Sequence, residues 1–66
     1  MPVIIFEGGK MEKDRKKQLI QGLTRAAADT TGIHEQAFTI CIHENDPESV
    51  GVGGEMLTEV LARENK

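Results

Sequence analysis

Pro2-Val3-Ile4-Ile5-Phe6-Glu7-Gly8-Gly9 opens the chain and decides how the rest is read. From Pro2 to Glu7 the run is apolar almost without a break and rich in β-branched residues, the pattern of a strand covered on both faces. Gly8-Gly9 then turns the chain. From about Met11 to Thr31 the pattern is helical. Leu19, Ile20, Leu23, Ala26 and Ala27 fall on one stripe, with Lys16, Lys17, Arg25 and Asp29 elsewhere on the surface. Gly32 is placed to end this helix in a left-handed conformation, with Ile33 making the accompanying apolar contact. No Ser, Thr or Asn offers a cap at its start.

A second strand is expected over Ala37 to Glu44. Phe38, Ile40 and Ile42 lie on the face that seats the helix stripe, and Thr39, Cys41 and His43 on the other. Asn45-Asp46-Pro47-Glu48 reads as a turn and Gly51-Val52-Gly53-Gly54 as a flexible corner. Met56, Leu57, Val60 and Leu61 give Glu55 to Asn65 the spacing of a short amphipathic helix. Strand, helix, strand makes a single β-α-β unit of the α/β (α+β) class, with parallel strands and a right-handed crossover. Residues 1–66 read as one domain without repeats or linkers.

Size and charge narrow the function. A chain of 66 residues buries only about 60% of its unfolded surface. Cys41 is the one cysteine and two scattered histidines make a poor metal framework, which rules out an internal disulfide and leaves oligomerisation as the stabilising device. One helix covers one face of a two-stranded sheet, so the other face must meet other copies, and a symmetric homo-oligomer is expected. The reduced thiol and the lack of a signal peptide or long apolar run point to a cytoplasmic protein with no membrane partner. Net charge is −3, with Lys10, Lys13, Arg15, Lys16 and Lys17 clustered at the helix start. The acidic balance, the lack of Tyr and Trp, and phenylalanines in strands instead of beside the lysines argue against nucleic acid.

Pro2 carries the chemistry. A small second residue lets the initiator methionine be trimmed, which would leave a secondary amine at the start of a buried strand. Such an amine can serve as a general base or as a nucleophile towards carbonyls. With Met1 attached the nitrogen is an amide and has no basicity. Parallel topology puts Pro2 beside Ala37, Phe38 and Thr39. Lys10 leaves the opposite end of the first strand, roughly 20 Å away at strand rise. A neighbouring subunit's Lys10 or Arg15 is therefore the cation that would serve Pro2.

Pro2 before an apolar strand, Glu7-Gly8 at its end, Lys17-Gln18-Leu19-Ile20 in the helix and Gly51-Val52-Gly53-Gly54-Glu55 together resemble the 4-oxalocrotonate tautomerase family over nearly the whole chain. The resemblance implies a β-α-β fold assembled mostly into hexamers, with no metal or organic cofactor. It also implies enol–keto isomerisation of a small 2-hydroxy-dienoate or 2-oxo acid, with Pro2 as the proton carrier. On this reading the substrate-binding positions are Lys10, Arg15, Thr39 and Val50, and the partner is a small carboxylate. Three of them depart from the family pattern. Lys10 stands at or near an arginine and loses the planar bidentate grip on a carboxylate. Thr39 replaces a second arginine, and Val50 an aromatic residue. The alternative is therefore a non-catalytic oligomeric module that keeps the fold.

Other residues read structurally. Cys41 is a buried strand thiol with no cation to lower its pKa. His43 is an interface histidine on the same face, and His34 is exposed in a loop. The glycines at 51, 53 and 54 lack the Lys-Ser/Thr of a P-loop and instead suit a small hairpin, as in relatives of this family. Glu55 has no role that the sequence reveals.

Overall fold

The computed structural model describes residues 1–64. The apolar run forms strand β1, Val3–Gly8, which pairs in parallel with β2, Thr39–Glu44, from Val3 opposite Thr39 to Gly8 opposite Glu44. Between them runs helix α1, Lys13–Thr31. A single turn at Glu35–Ala37 leads into β2 and another at Pro47–Ser49 leaves it. Two-residue strands β3, Gly51–Val52, and β4, Glu55–Met56, pair antiparallel, and helix α2 follows over Leu57–Glu64.

Alternation along the strands sorts the sheet into two faces. Ile4 and Phe6 are half-buried beneath α1, as are Phe38, Ile40 and Ile42. On the opposite face Val3 is 52% and Ile5 58% exposed, in register with Thr39 and Cys41. β1 is thus covered on one face within the subunit, not on both. No described residue is fully buried. The surface amounts to 5371 Å², against about 4,200 Å² for a folded monomer of this mass. The radius of gyration is 15.3 Å, where about 11 Å is usual for this length.

Several boundaries and packing assignments differ from the sequence reading. α1 begins at Lys13 instead of Met11, and no side chain of its own caps it. Its packed stripe runs through Lys16, Leu19, Leu23 and Ala27, while Ile20 and Ala26 are exposed. The helix lies chiefly over β2, so its contact stripe is narrow. Gly32 does close α1, with φ 77° and its N–H donating to the Ala28 carbonyl at 2.9 Å. Ile33, however, is exposed, and its N–H goes to Thr31 Oγ1. Ala37 belongs to the turn before β2. Gly8 stays in β1 because the Phe6 ring folds over it: a Cβ there would sit 2.7 Å from Phe6 Cε2. The short last helix starts at Leu57, after the hairpin; Asn65 lies outside the described residues. No described helix is long and apolar enough to cross a membrane.

The segment that leads into α1 is instead held from the end of β2. Glu44 accepts the Met11 N–H at 2.9 Å and pairs with Lys16 Nζ at 3.2 Å. Beside it the Asn45 N–H donates to the Gly8 carbonyl at 2.7 Å. One carboxylate thus ties the β1–α1 connection to the sheet. The Met11 amide, and then Lys16, hold the Glu44 carboxyl below the usual carboxylate range.

Two predictions follow from these contacts. A depressed carboxyl contributes stability that is present above the ordinary glutamate range, about 4.3, and is lost as pH falls through the lowered value. Glu44→Gln should therefore lower the melting temperature at pH 7 and flatten its fall on acidification, read from thermal melts between pH 7 and 3. In the hairpin, Gly53 and Gly54 have φ of 61° and 88°, the conformation of a two-residue turn that side chains resist. Gly54→Val should destabilise by about 1–2 kcal/mol while Gly53→Asn stays near neutral, measured by denaturant titration at fixed subunit concentration.

Candidate functional site

Pro2 is half-buried immediately before β1. Its carbonyl accepts the Thr39 N–H at 3.0 Å, which joins the first residues of both strands. Proline cannot donate to a sheet ladder, and in this position only its carbonyl is needed. The alternation of β1 puts Pro2 on the face of Ile4 and Phe6, with Phe38 beside it on the neighbouring strand. Met1 ahead of it is 94% exposed and open to removal.

The other sequence-chosen positions are dispersed within one subunit. Thr39 is Pro2's neighbour through its backbone, but its side chain sits on the open face beside Val3. Lys10 is exposed just past the far end of β1, about 20 Å along the strand. Arg15 is exposed in the first turn of α1, where it lines a groove of about 590 Å³ with Phe6, Met11, Gln18 and Leu19. Val50 lies beyond β2, between the Pro47–Ser49 turn and the hairpin. Its carbonyl takes the Leu57 N–H at 2.8 Å, and it lines a separate cavity of about 350 Å³ with Glu48, Glu55 and Met56. A single chain therefore brings together Pro2 and Thr39, and leaves Lys10, Arg15 and Val50 at the opposite end.

Two groups that sequence reasoning left unassigned have definite structural roles. Glu55 receives both terminal nitrogens of Arg63, one of them at 2.9 Å, in a bidentate pair that closes α2 back onto β4. Arg63 keeps the Glu55 carboxyl below its ordinary range, and Glu55 raises the guanidinium in turn. Glu44 holds the loop that carries Lys10, as described above. Neither pairing leaves a local signal, since one joins a strand to the helix eight residues on and the other spans 33 residues. Among the described residues no cluster of three or more His, Cys, Asp or Glu side chains is arranged to hold a metal. His34 is exposed, and His43 stands opposite Glu7 on the open face.

Comparison with known proteins identifies the family and the fold. The family described as "Tautomerase enzyme" matches residues 2–60. A probable tautomerase K2 of Dickeya dadantii (strain 3937) is 39% identical over 46 residues, covering 70% of this chain and 69% of its own. Among solved structures, DmpI from Archaeoglobus fulgidus is 40% identical and superposes with a TM-score of 0.81, covering 86% of this chain and 98% of the other. TomN, a 4-oxalocrotonate tautomerase homologue in the tomaymycin biosynthetic pathway, is 29% identical with a TM-score of 0.87, covering 92% of this chain and 95% of the other. The matched span begins at Pro2 and takes in both strands, α1 and the hairpin, and on this ground the chain belongs to the tautomerase family.

Proposed function

We propose that this protein is a cofactor-independent isomerase that ketonises a small 2-hydroxy-dienoate or related enol of a 2-oxo acid, with Pro2 as general base and acid once Met1 is removed. The observation that carries the reading is the position of Pro2. It is half-buried at the start of β1, anchored through its carbonyl to Thr39, with apolar Ile4 and Phe6 on its face and an exposed residue ahead of it. Freed of Met1, the nitrogen is a secondary amine on a fixed strand end. A free α-amino group titrates near about 7.7–8.0 and a secondary alkyl amine is more basic. Apolar surroundings and a nearby cation both lower that value towards neutrality. The neutral amine then removes the enol proton and returns it at a distant carbon of the conjugated chain.

The substrate carboxylate needs a cation that one chain does not place near Pro2. Lys10 of the partner subunit supplies it in an assembled protein, across the open sheet face or the edge of β1. Assembly is supported by the large exposed surface and by the lack of any fully buried side chain among the described residues. A homo-oligomer, with six subunits as in the family generally, completes the site. Lysine in place of arginine, and Thr39 in place of a second one, shift preference from dicarboxylates towards substrates with a single carboxylate and an apolar end.

Thr39 also favours a second reading, a fold-retaining module without efficient chemistry, because a threonine cannot neutralise a carboxylate or polarise the substrate carbonyl. The two readings diverge in one assay. Protein whose intact mass shows Met1 removed should ketonise 2-hydroxymuconate or a simpler arylenol pyruvate, with kcat/KM rising with pH as the amine deprotonates. Pro2→Ala should lower kcat/KM by about 10²–10⁴-fold with the assembly unchanged. Equal rates in both proteins, or none in either, would favour the module.

A further inference from the structure

The connection from β1 to α1 runs over four residues, Gly9 to Glu12. Its ties to the sheet come from two consecutive residues at the end of β2. The Asn45 N–H donates to the Gly8 carbonyl at 2.7 Å, and Glu44 Oε2 accepts the Met11 N–H at 2.9 Å. Only Gly9 and Lys10 lie between these two anchors. Gly9 packs against nothing, and no atom stands within 4 Å of where a Cβ would sit. The position of the Lys10 backbone therefore rests chiefly on the two hydrogen bonds. A lysine on so short a span projects its ammonium from a fixed origin.

The ammonium itself is left free. Lys10 is exposed and belongs to no ion pair among the described residues. A carboxylate two residues from it across the loop is the partner it would ordinarily take. Both oxygens of Glu44 are already engaged, Oε2 by the Met11 amide and Oε1 by Lys16 Nζ at 3.2 Å. The Met11 amide and then Lys16 lower the Glu44 carboxyl most, and the unbonded charge of Lys10 least. Lys16 thus occupies the place that Lys10 could fill.

We propose that Glu44 and Lys16 are positioning residues for substrate binding: Glu44 fixes the loop that presents Lys10, and Lys16, by pairing with Glu44, leaves the Lys10 ammonium free for a carboxylate. The inference rests on the reading of Lys10 as the cation for substrate. It gives Glu44 an effect on affinity opposite to that of its charge. A carboxylate near an anion site repels the ligand, so neutralising it should tighten binding. Loss of a group that holds the cation in place loosens binding instead.

Direct binding tests this without turnover. Sorbate, a dienoate with one carboxylate and no enol hydroxyl, is an unreactive probe that can be titrated by calorimetry into the assembled protein with Met1 removed. Lys10→Ala should raise its Kd about fivefold, and Glu44→Gln and Lys16→Met about threefold each, with the assembly unchanged by light scattering. In a Lys10→Ala background neither of the other two should have a further effect, because residues that act through one group are not additive. Lys16→Arg still donates to Glu44 and should restore affinity to within about 1.5-fold of the parent. In turnover, Glu44→Gln and Lys16→Met should raise KM and leave kcat within about twofold, the split expected when binding alone is weakened. Lys16→Met carries the same test if Glu44→Gln loses its assembly. Sorbate bound by Glu44→Gln as tightly as by the parent, or more tightly, would overturn the proposal. So would losses that persist in the Lys10→Ala background, a Lys10→Ala variant with the parent's affinity, or a parent that binds no sorbate. Turnover that Pro2→Ala leaves unchanged would remove Pro2 from the mechanism and leave the binding result standing.

Discussion

Everything in this molecule follows from one helix being laid over two strands. A two-stranded sheet has two faces and four edges' worth of hydrogen-bonding groups to account for, and α1 covers only one face, chiefly that of β2. The consequence is not a poor fold but an unfinished one. Ile4, Phe6, Phe38 and Ile40 are half-buried, none fully, while Val3, Ile5 and Cys41 form an apolar strip on the other side. At about 25 cal/mol per Å², removing such a strip from water is the largest stabilising resource this chain still holds. The resource becomes available only when another surface arrives.

Within that frame Glu44 ties the β1–α1 connection to the sheet. It stands at the end of β2 opposite Gly8, and from there reaches the Met11 amide and Lys16 on the first turns of α1. The last residue of one strand thereby fixes the end of the other and the start of the helix. Hydrogen bonds to an ionised acceptor are stronger than neutral ones, and here a carboxylate holds the backbone two residues ahead of α1. Lys10 sits in the segment so held, between the Gly8 carbonyl and the Met11 amide, which restricts the freedom of its loop.

The sequence was most legible where the signal was local and periodic. The unbroken apolar run gave β1, the alternating run gave β2, and the parallel topology that follows put Pro2 beside Thr39, as the hydrogen bond between them confirms. Gly32 announced the end of α1 because only a left-handed residue stops a helix that way. What stayed hidden was set at long range. The segment before α1 is tied to a carboxylate 33 residues away, and Ile20 and Ala26 fell off the packed stripe because α1 rests on so little sheet. Gly8 looked like a turn residue, whereas the reason for it is the ring of Phe6. Of the candidate site, the sequence made legible the meeting of Pro2 and Thr39 at one strand end; Lys10, Arg15 and Val50 sit at the far end of the subunit, and no pattern within one chain says which of another chain's residues would come near Pro2.

The last feature concerns the C-terminal arm. β3, β4 and α2 pack on one another and on the Pro47–Ser49 turn, with the bidentate Glu55–Arg63 pair closing the far end. Asp46 stiffens the approach by accepting the Glu48 N–H at 3.0 Å, and Pro47 fixes its own φ. The arm is thus a preassembled body on a short connector. Ordering a residue on contact costs about 1–2 kcal/mol of backbone entropy. A surface that received this arm would therefore have few further residues to order, because the arm's own contacts have already fixed its shape.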